Sequence, residues 1–131
     1  MINKTIGFIG GGRITRIFLE AFQNRETKFS GITVSDNDPE ILKKMNDRFP
    51  EVKTITGDNK IQASEDIVFV ALHPPVIAQA LAEINGVLKN NTIVVSLAPK
   101  HTIKILTGYL GGFNRIARII PNGPKVFFRP N

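Results

Sequence analysis

The sequence predicts an α/β fold with three layers, α/β/α, in which one doubly wound, mostly parallel sheet lies between helices. Short apolar runs rich in β-branched residues alternate along the chain with segments whose apolar residues recur at helical spacing. Two runs, Ile67–Leu72 (IVFVAL) and Thr92–Leu97 (TIVVSL), are apolar on both faces, as expected of strands inside a parallel sheet. Strands that alternate with helices in this way are joined by right-handed crossovers. We therefore expect a single domain over residues 1–131.

In the first half of the chain, strand and helix patterns alternate twice and a weaker pair follows. Thr5–Ile9 is an apolar strand, and Arg13–Asn24 has the apolar spacing of one helix face. Gly31–Ser35 is the second strand, and Pro39 begins the second helix, because proline suits a first helical turn. The weaker elements are the strand Val52–Thr56 and, at most, a short helix within Asp58–Ser64. The positions expected to face inward are Ile14, Ile17, Phe18, Ala21 and Phe22 on the first long helix and Ile41, Leu42, Met45 and Phe49 on the second.

The second half of the chain repeats the alternation. The strand Ile67–Leu72 leads to a helix that starts at Pro74 and Pro75, and Thr92–Leu97 leads to a helix from about Thr102 to Leu110. A last strand is predicted at Arg115–Ile120, where Pro121 ends it. The inward positions of the helix after Pro74 are Ile77, Ala80, Leu81, Ile84 and Leu88.

Composition restricts the class of protein. Of 131 residues 42% are hydrophobic, yet no apolar stretch approaches the roughly 20 residues that span a bilayer. The first residues lack the pattern of a secretory signal. Because the chain has no cysteine and only two histidines, His73 and His101, we expect no disulfide and no metal site. We expect a cytoplasmic protein without membrane contact.

The net charge of +6 is unevenly distributed. All eleven Asp and Glu residues lie in residues 1–83, whereas every charged residue from Ile84 onward is Lys or Arg. Such asymmetry is typical either of a solvated basic face or of an anionic partner. Basic residues are not interleaved with aromatic ones, so we expect no nucleic-acid binding.

Three glycines, Gly10, Gly11 and Gly12, stand where the first strand meets the first helix. In a doubly wound fold this turn binds a dinucleotide pyrophosphate: the first glycine allows the turn, and a later one lets the phosphates approach the backbone. The helix that follows directs its free N–H groups at the anion. Thr15 replaces the third glycine of G-x-G-x-x-G, a position that governs packing, and Asp36 ends the second strand as the usual acid. The sequence predicts a Rossmann-type NAD(P)-binding fold.

The segment from Ser35 to Asp38 favours NAD over NADP. Asp36 is expected to accept hydrogen bonds from the adenine ribose, and a 2′-phosphate would meet two acids and no base in this segment. Asp38 is expected to cap the helix that begins at Pro39. Arg13 lies in the phosphate loop and would either reach the pyrophosphate or compensate a 2′-phosphate, so NADP remains the alternative cofactor.

Four blocks, IGFIGGG, IVFVALHPP, TIVVSLAPK and RIARIIPNGP, resemble in order and spacing the N-terminal nucleotide-binding domain of the pyrroline-5-carboxylate reductase family, over about residues 4–124. Members of that family reduce a cyclic imine with NAD(P)H in the last step of proline synthesis. They carry a second, all-helical domain that dimerises and completes the substrate pocket. The resemblance implies an NAD(P)-dependent oxidoreductase with a small imine or carbonyl substrate. The helical domain does not occur in these 131 residues, so we expect them to be an excised domain with little turnover, and we expect a helical domain or a homodimer partner.

The resemblance also implies which residues contact the cofactor. They are Gly10, Gly11 and Gly12 at the pyrophosphate, Ser35, Asp36 and Asn37 at the adenosine ribose, Ala71, Leu72, His73 and Pro74 at the end of the fourth strand, and Pro121 and Asn122 beside the nicotinamide. Arg13 and Ile14, which follow the glycines directly, are also expected to bind the cofactor. The catalytic residue is not identified by the sequence.

The chain departs from the family at three places on the active-site rim. His73 replaces a usual Lys, Pro99 and Lys100 replace a small-residue turn, and Gly123 replaces Thr. These departures leave two alternatives open. One is a non-catalytic nucleotide-binding or interaction module. The other is a relative with a different substrate, such as a prephenate- or hydroxy-acid-type dehydrogenase.

Overall fold

A computed structural model describes residues 1–119, which form one six-stranded sheet in the order β3-β2-β1-β4-β5-β6. Every neighbouring pair of strands is parallel. The strands are β1 (Ile2–Ile9), β2 (Phe29–Asp36), β3 (Lys53–Thr56), β4 (Ile67–Val70), β5 (Ile93–Ser96) and β6 (Ile116–Arg118). The helices are α1 (Arg13–Asn24), α2 (Pro39–Arg48), α3 (Lys60–Ala63), α4 (Pro74–Ile84) and α5 (Ile103–Tyr109). The predicted doubly wound α/β fold is confirmed.

Two apolar clusters cover the two faces of the sheet. On one face α1 and α2 pack on β1 and β2, and Phe8 stacks on Phe69 with the ring centroids 4.8 Å apart. On the other face α4 and α5 pack on β4 and β5. All inward positions expected on α2 except the half-buried Ile41 are buried, and so are four of those expected on α4, Ile77, Ala80, Leu81 and Ile84. The sheet is therefore enclosed by helices on both sides.

The inward face of α1 agrees only in part with the predicted one. The structure buries Thr15, Phe18 and Leu19, whereas Ile14 and Phe22 are only half-buried. The buried stripe of α1 therefore lies one residue further along the chain than the stripe that apolar spacing predicts. A threonine is accepted in this interface because its hydroxyl donates to a backbone carbonyl, so its burial leaves no polar group unsatisfied.

No helix within residues 1–119 is long and apolar enough to cross a membrane.

At the amino edge of the sheet, Asp66 ties β4 to β1. Its Oδ2 accepts the backbone N–H of Thr5 at 2.9 Å and the Thr5 hydroxyl at 3.2 Å, and Lys89 Nζ lies 3.4 Å from Oδ1. The Thr5 N–H is the main reason that the pKa of Asp66 lies below its ordinary value. The charged carboxylate therefore contributes to the pairing of two central strands.

We expect Asp66→Asn to lower the free energy of unfolding at neutral pH by an amount that shrinks in acid. A carboxylate whose pKa is depressed by folding stabilises the native state above the unfolded pKa, and this contribution is lost as the pH falls through the folded pKa, below about pH 4. Urea unfolding at pH 7, 5 and 3 measures it. Asp47→Asn, an exposed acid on α2, removes the same charge and is the control. A stability difference that persists unchanged at pH 3 would contradict this role.

Candidate functional site

The carboxyl ends of β1, β2 and β4 meet at one edge of the sheet, where the chain crosses from one side of β1 to the other. β1 lies between β2 and β4. The chain therefore adds β2 and β3 on one side of β1 and then crosses over to add β4 on the other side. In open α/β sheets, ligands bind in the crevice at this switch point. Residues that follow the three strands are therefore the first candidates for a binding site.

The glycine loop is held tightly between the two neighbouring strands. Gly10 has φ +105°, and its N–H donates to the Ser35 carbonyl at 2.8 Å. A Cβ on Gly10 would lie 2.3 Å from the carbonyl oxygen of Ala71, which shows how closely the loop approaches the end of β4. Below the loop, the buried Thr15 hydroxyl donates to the Gly10 carbonyl at 2.6 Å. The predicted packing role of Thr15 is confirmed, and this hydrogen bond locks the turn to α1.

Gly12 faces open space, in contrast to Gly10. No heavy atom lies within 4 Å of a Cβ built on Gly12, which is the N-cap of α1. In the described part of the chain no side chain caps this helix, and its first turn carries no acid. Helix N-terminal N–H groups left without a side-chain cap favour an anion. The residues present therefore fit a phosphate group at this place.

Asp36 joins the end of β2 to the glycine loop. Its Oδ2 accepts the Gly11 N–H at 2.8 Å, and its Oδ1 accepts the Asp38 N–H at 2.9 Å. Asp38 in turn accepts the Glu40 N–H at 2.9 Å and caps α2, as expected. Asp36 thus holds the glycine loop to the end of β2, a structural role that the sequence pattern did not reveal. The pattern predicted only a contact with the ribose.

A cleft of about 180 Å³ opens beside the glycine loop. It is smaller than the roughly 300–1,000 Å³ of a pocket that encloses a drug-sized ligand, so it would hold only part of a dinucleotide. Its lining residues come from the loop, the ends of β2 and β3, and α4. They are Gly10, Ser35, Asp36, Asn37, Gly57, Asn59, Leu72, Val76, Gln79, Ala80 and Glu83.

The structure brings some of the predicted site residues to this cleft and leaves others away from it. Gly10, Ser35, Asp36, Asn37 and Leu72 line it. The Ser35 side chain is fully buried, and its hydroxyl donates to Asn59 Oδ1 at 2.7 Å. The predicted residues outside this lining are Gly11, Gly12, Arg13, Ile14, Ala71, His73 and Pro74, while Pro121 and Asn122 lie outside the described residues.

The predicted residues outside the lining have identifiable positions. Arg13 is exposed at the start of α1, and Ile14 packs against the core. The fourth strand ends at Val70, earlier than the predicted Leu72, although the Ala71 N–H still donates to the Ile9 carbonyl at 2.9 Å. His73 is exposed and is the N-cap of α4, which begins at Pro74 as predicted.

Sequence reasoning missed the wall of the cleft that α4 and the segment before α3 supply. Val76, Gln79 and Glu83 recur at helical spacing on α4 and face the cleft, while Asn59 precedes α3. The sequence could have indicated the α4 residues, because the apolar stripe of that helix marks the side that packs on the sheet. Val76, Gln79 and Glu83 recur at helical spacing beside that stripe. Asn59 carried no such signal.

These features define the class of protein: a Rossmann-type domain whose glycine loop and following acid fit a dinucleotide. A family model described as "NADP oxidoreductase coenzyme F420-dependent" matches residues 5–100. The chain belongs to this family.

Known proteins narrow the resemblance further. The chain is 29% identical over 126 residues to the pyrroline-5-carboxylate reductase of Escherichia coli K12, a match that covers 95% of this chain and 46% of that relative. The structure of a pyrroline-5-carboxylate reductase from Coxiella burnetii superimposes with a TM-score of 0.84 at 28% identity, over 93% of this chain and 45% of the other. Prephenate dehydrogenase from A. aeolicus shares the fold, with a TM-score of 0.77 at 16% identity over 92% of this chain and 42% of the other. The chain spans about half the length of these proteins and resembles the N-terminal domain of a pyrroline-5-carboxylate reductase.

Proposed function

We propose that the chain is the NAD(H)-binding half of a reductase that transfers a hydride to the C=N or C=O carbon of a small substrate. The observation that carries this proposal is the glycine loop, whose Gly11 N–H is held by Asp36 at the mouth of a cleft. The likeness to pyrroline-5-carboxylate reductases supports a cyclic imine as the substrate. The nicotinamide supplies the hydride when bound, and the protein supplies binding and orientation.

Each part of the site would bind a different part of the cofactor. The N-terminus of α1, open above Gly12, would hold the pyrophosphate. The Asp36 carboxylate would accept the ribose hydroxyls. Leu72, Val76 and Ala80 form an apolar wall of the cleft that would take the adenine ring.

The substrate pocket would be completed by further protein. The curated relatives are about twice as long as this chain, so the substrate would bind between this domain and a helical domain or a partner subunit. His73 and the predicted residues Pro121 and Asn122 would border that pocket. We also propose a cytoplasmic location, because a protein without cysteine suits a reducing compartment.

Titration of the chain with NADH and with NADPH tests the proposal. We expect both to bind and NADH to bind about tenfold more tightly, a difference of about 1.4 kcal/mol, because a 2′-phosphate would meet the Asp36 carboxylate. Isothermal titration calorimetry at moderate salt measures both constants. If neither NADH nor NADPH binds, the proposed function is refuted. Tighter binding of NADPH would overturn the NAD preference and direct attention to Arg13.

A further inference from the structure

A chain of three polar side chains crosses one end of the cleft. The buried Ser35 hydroxyl donates to Asn59 Oδ1 at 2.7 Å, which leaves the amide nitrogen of Asn59 to donate to Glu83 Oε2 at 3.3 Å. Because Ser35 is fully buried near the end of β2, it sets the orientation of the Asn59 amide. The amide in turn places the carboxylate of Glu83, which projects from α4.

Glu83 adds a second negative charge to the lining of the cleft. Asp36 contributes a carboxylate from the end of β2, and Glu83 contributes one from α4. No Lys or Arg occurs among the lining residues in the described part of the chain. The ion pair found within residues 1–119 joins Lys89 to Asp66, so Glu83 has a neutral amide as its hydrogen-bond donor and forms no ion pair in that range. Its charge is therefore available to act on a ligand.

We propose that Glu83 is a specificity-determining residue that disfavours a 2′-phosphorylated cofactor, acting from α4 independently of Asp36. This inference rests on the proposed dinucleotide function. A 2′-phosphate carries close to two negative charges at neutral pH, and like charges that share a small cleft repel each other. The 2′-hydroxyl of NAD carries no charge and gains no such penalty. Carboxylates on two walls of the cleft, those of Asp36 and Glu83, thus both favour a ribose without a 2′-phosphate.

Glu83→Gln is the direct test, because glutamine keeps an oxygen acceptor for the Asn59 amide and removes only the charge. We expect NADPH to bind about fivefold more tightly to this variant, while the affinity for NADH stays within about twofold of wild type. Adenosine 2′,5′-bisphosphate and AMP, titrated in parallel, should show the same change in ratio, which locates the effect at the adenosine end. Raising the salt concentration should shrink the wild-type discrimination more than that of the variant.

Glu51→Gln is the matched control. Glu51 is an exposed acid just before β3, at the opposite edge of the sheet, so its loss changes the net charge equally and leaves the cleft as it is. Glu83→Ala removes the charge and the hydrogen bond together, and should change the NADPH-to-NADH ratio at least as much as Glu83→Gln does.

The outcomes separate the two proposals. If wild-type protein binds NADH and Glu83→Gln leaves the NADPH-to-NADH ratio unchanged, Glu83 does not determine specificity while the dinucleotide function stands. If Glu51→Gln changes the ratio as much as Glu83→Gln does, the effect comes from net charge and the inference is wrong. If wild-type protein binds no nicotinamide nucleotide, the proposed function fails and this inference fails with it.

Discussion

Gly10→Ala is expected to destabilise the domain by about 3 kcal/mol or more and to abolish measurable NADH binding. Gly10 has φ +105°, a conformation that residues with a side chain rarely adopt, and the new Cβ would lie 2.3 Å from the Ala71 carbonyl oxygen. The obstructing atom belongs to the backbone at the end of β4, so no change of rotamer relieves the clash. Either β1 and β4 separate or the loop moves away from the proposed pyrophosphate site. Urea unfolding and calorimetric titration with NADH measure the two consequences.

Gly12→Ala is the matched comparison, since the same methyl group is added two residues away. Nothing lies within 4 Å of that Cβ, and the φ of Gly12 is −79°, so the free energy of unfolding should change by less than about 0.5 kcal/mol. NADH affinity should nevertheless fall at least about tenfold, because the methyl group occupies the space through which phosphate approaches the backbone. Unimpaired NADH binding by Gly12→Ala would show that the pyrophosphate does not bind at this loop.

Asp36→Ala is expected to weaken NADH binding by about thirtyfold, to erode the preference over NADPH and to lower stability by about 1–3 kcal/mol. The substitution removes the proposed ribose acceptor and also leaves the Gly11 and Asp38 N–H groups without their carboxylate partner. Both effects are expected from one side chain, since the proposed ribose acceptor also holds the loop through the Gly11 N–H. Titration with NADH and NADPH and urea unfolding of the same preparation measure them.

Asp38→Ala controls for general damage to this turn. It removes an acid two residues away together with the cap of α2, a loss that costs about 1 kcal/mol, but it leaves the bond from Asp36 to Gly11 in place. We expect NADH affinity within about twofold of wild type. If Asp36→Ala lowers stability while NADH binds unchanged, Asp36 supports the loop and does not contact the cofactor.

The strands and helices were predictable because apolar periodicity is a local property of the chain. α1 begins and ends where the sequence predicts, and both proline-led helices, α2 and α4, begin at their prolines. The parallel sheet followed from the alternation of strands with helices, since a crossover helix forces its two strands to run in the same direction. For the same reason the glycine loop could be placed at the switch point from sequence alone.

Apolar spacing correctly placed Ile14, Phe18 and Phe22 against the core but left out Thr15, because hydrophobicity alone ranks it as a surface residue. Its burial depends on the Gly10 carbonyl, which the turn of the glycine loop brings within 2.6 Å of the Thr15 hydroxyl. A polar side chain can enter a core when a partner satisfies it, and whether a partner exists is decided by the folded backbone.

The sequence by itself determined the fold, the glycine loop and the acid at the end of β2, because each depends on residue types at fixed local spacing. Only the tertiary structure decided what surrounds that acid. Asp36 reaches the Gly11 N–H because β1 and β2 are neighbours in the sheet, and Asn59 meets Glu83 because α3 and α4 pack side by side. Such contacts join residues about 25 positions apart in the chain, and no local pattern specifies them. The physical reason is that the direction of each side chain follows from the packing of whole elements, so the charge of the cleft became visible only once the helices were in place.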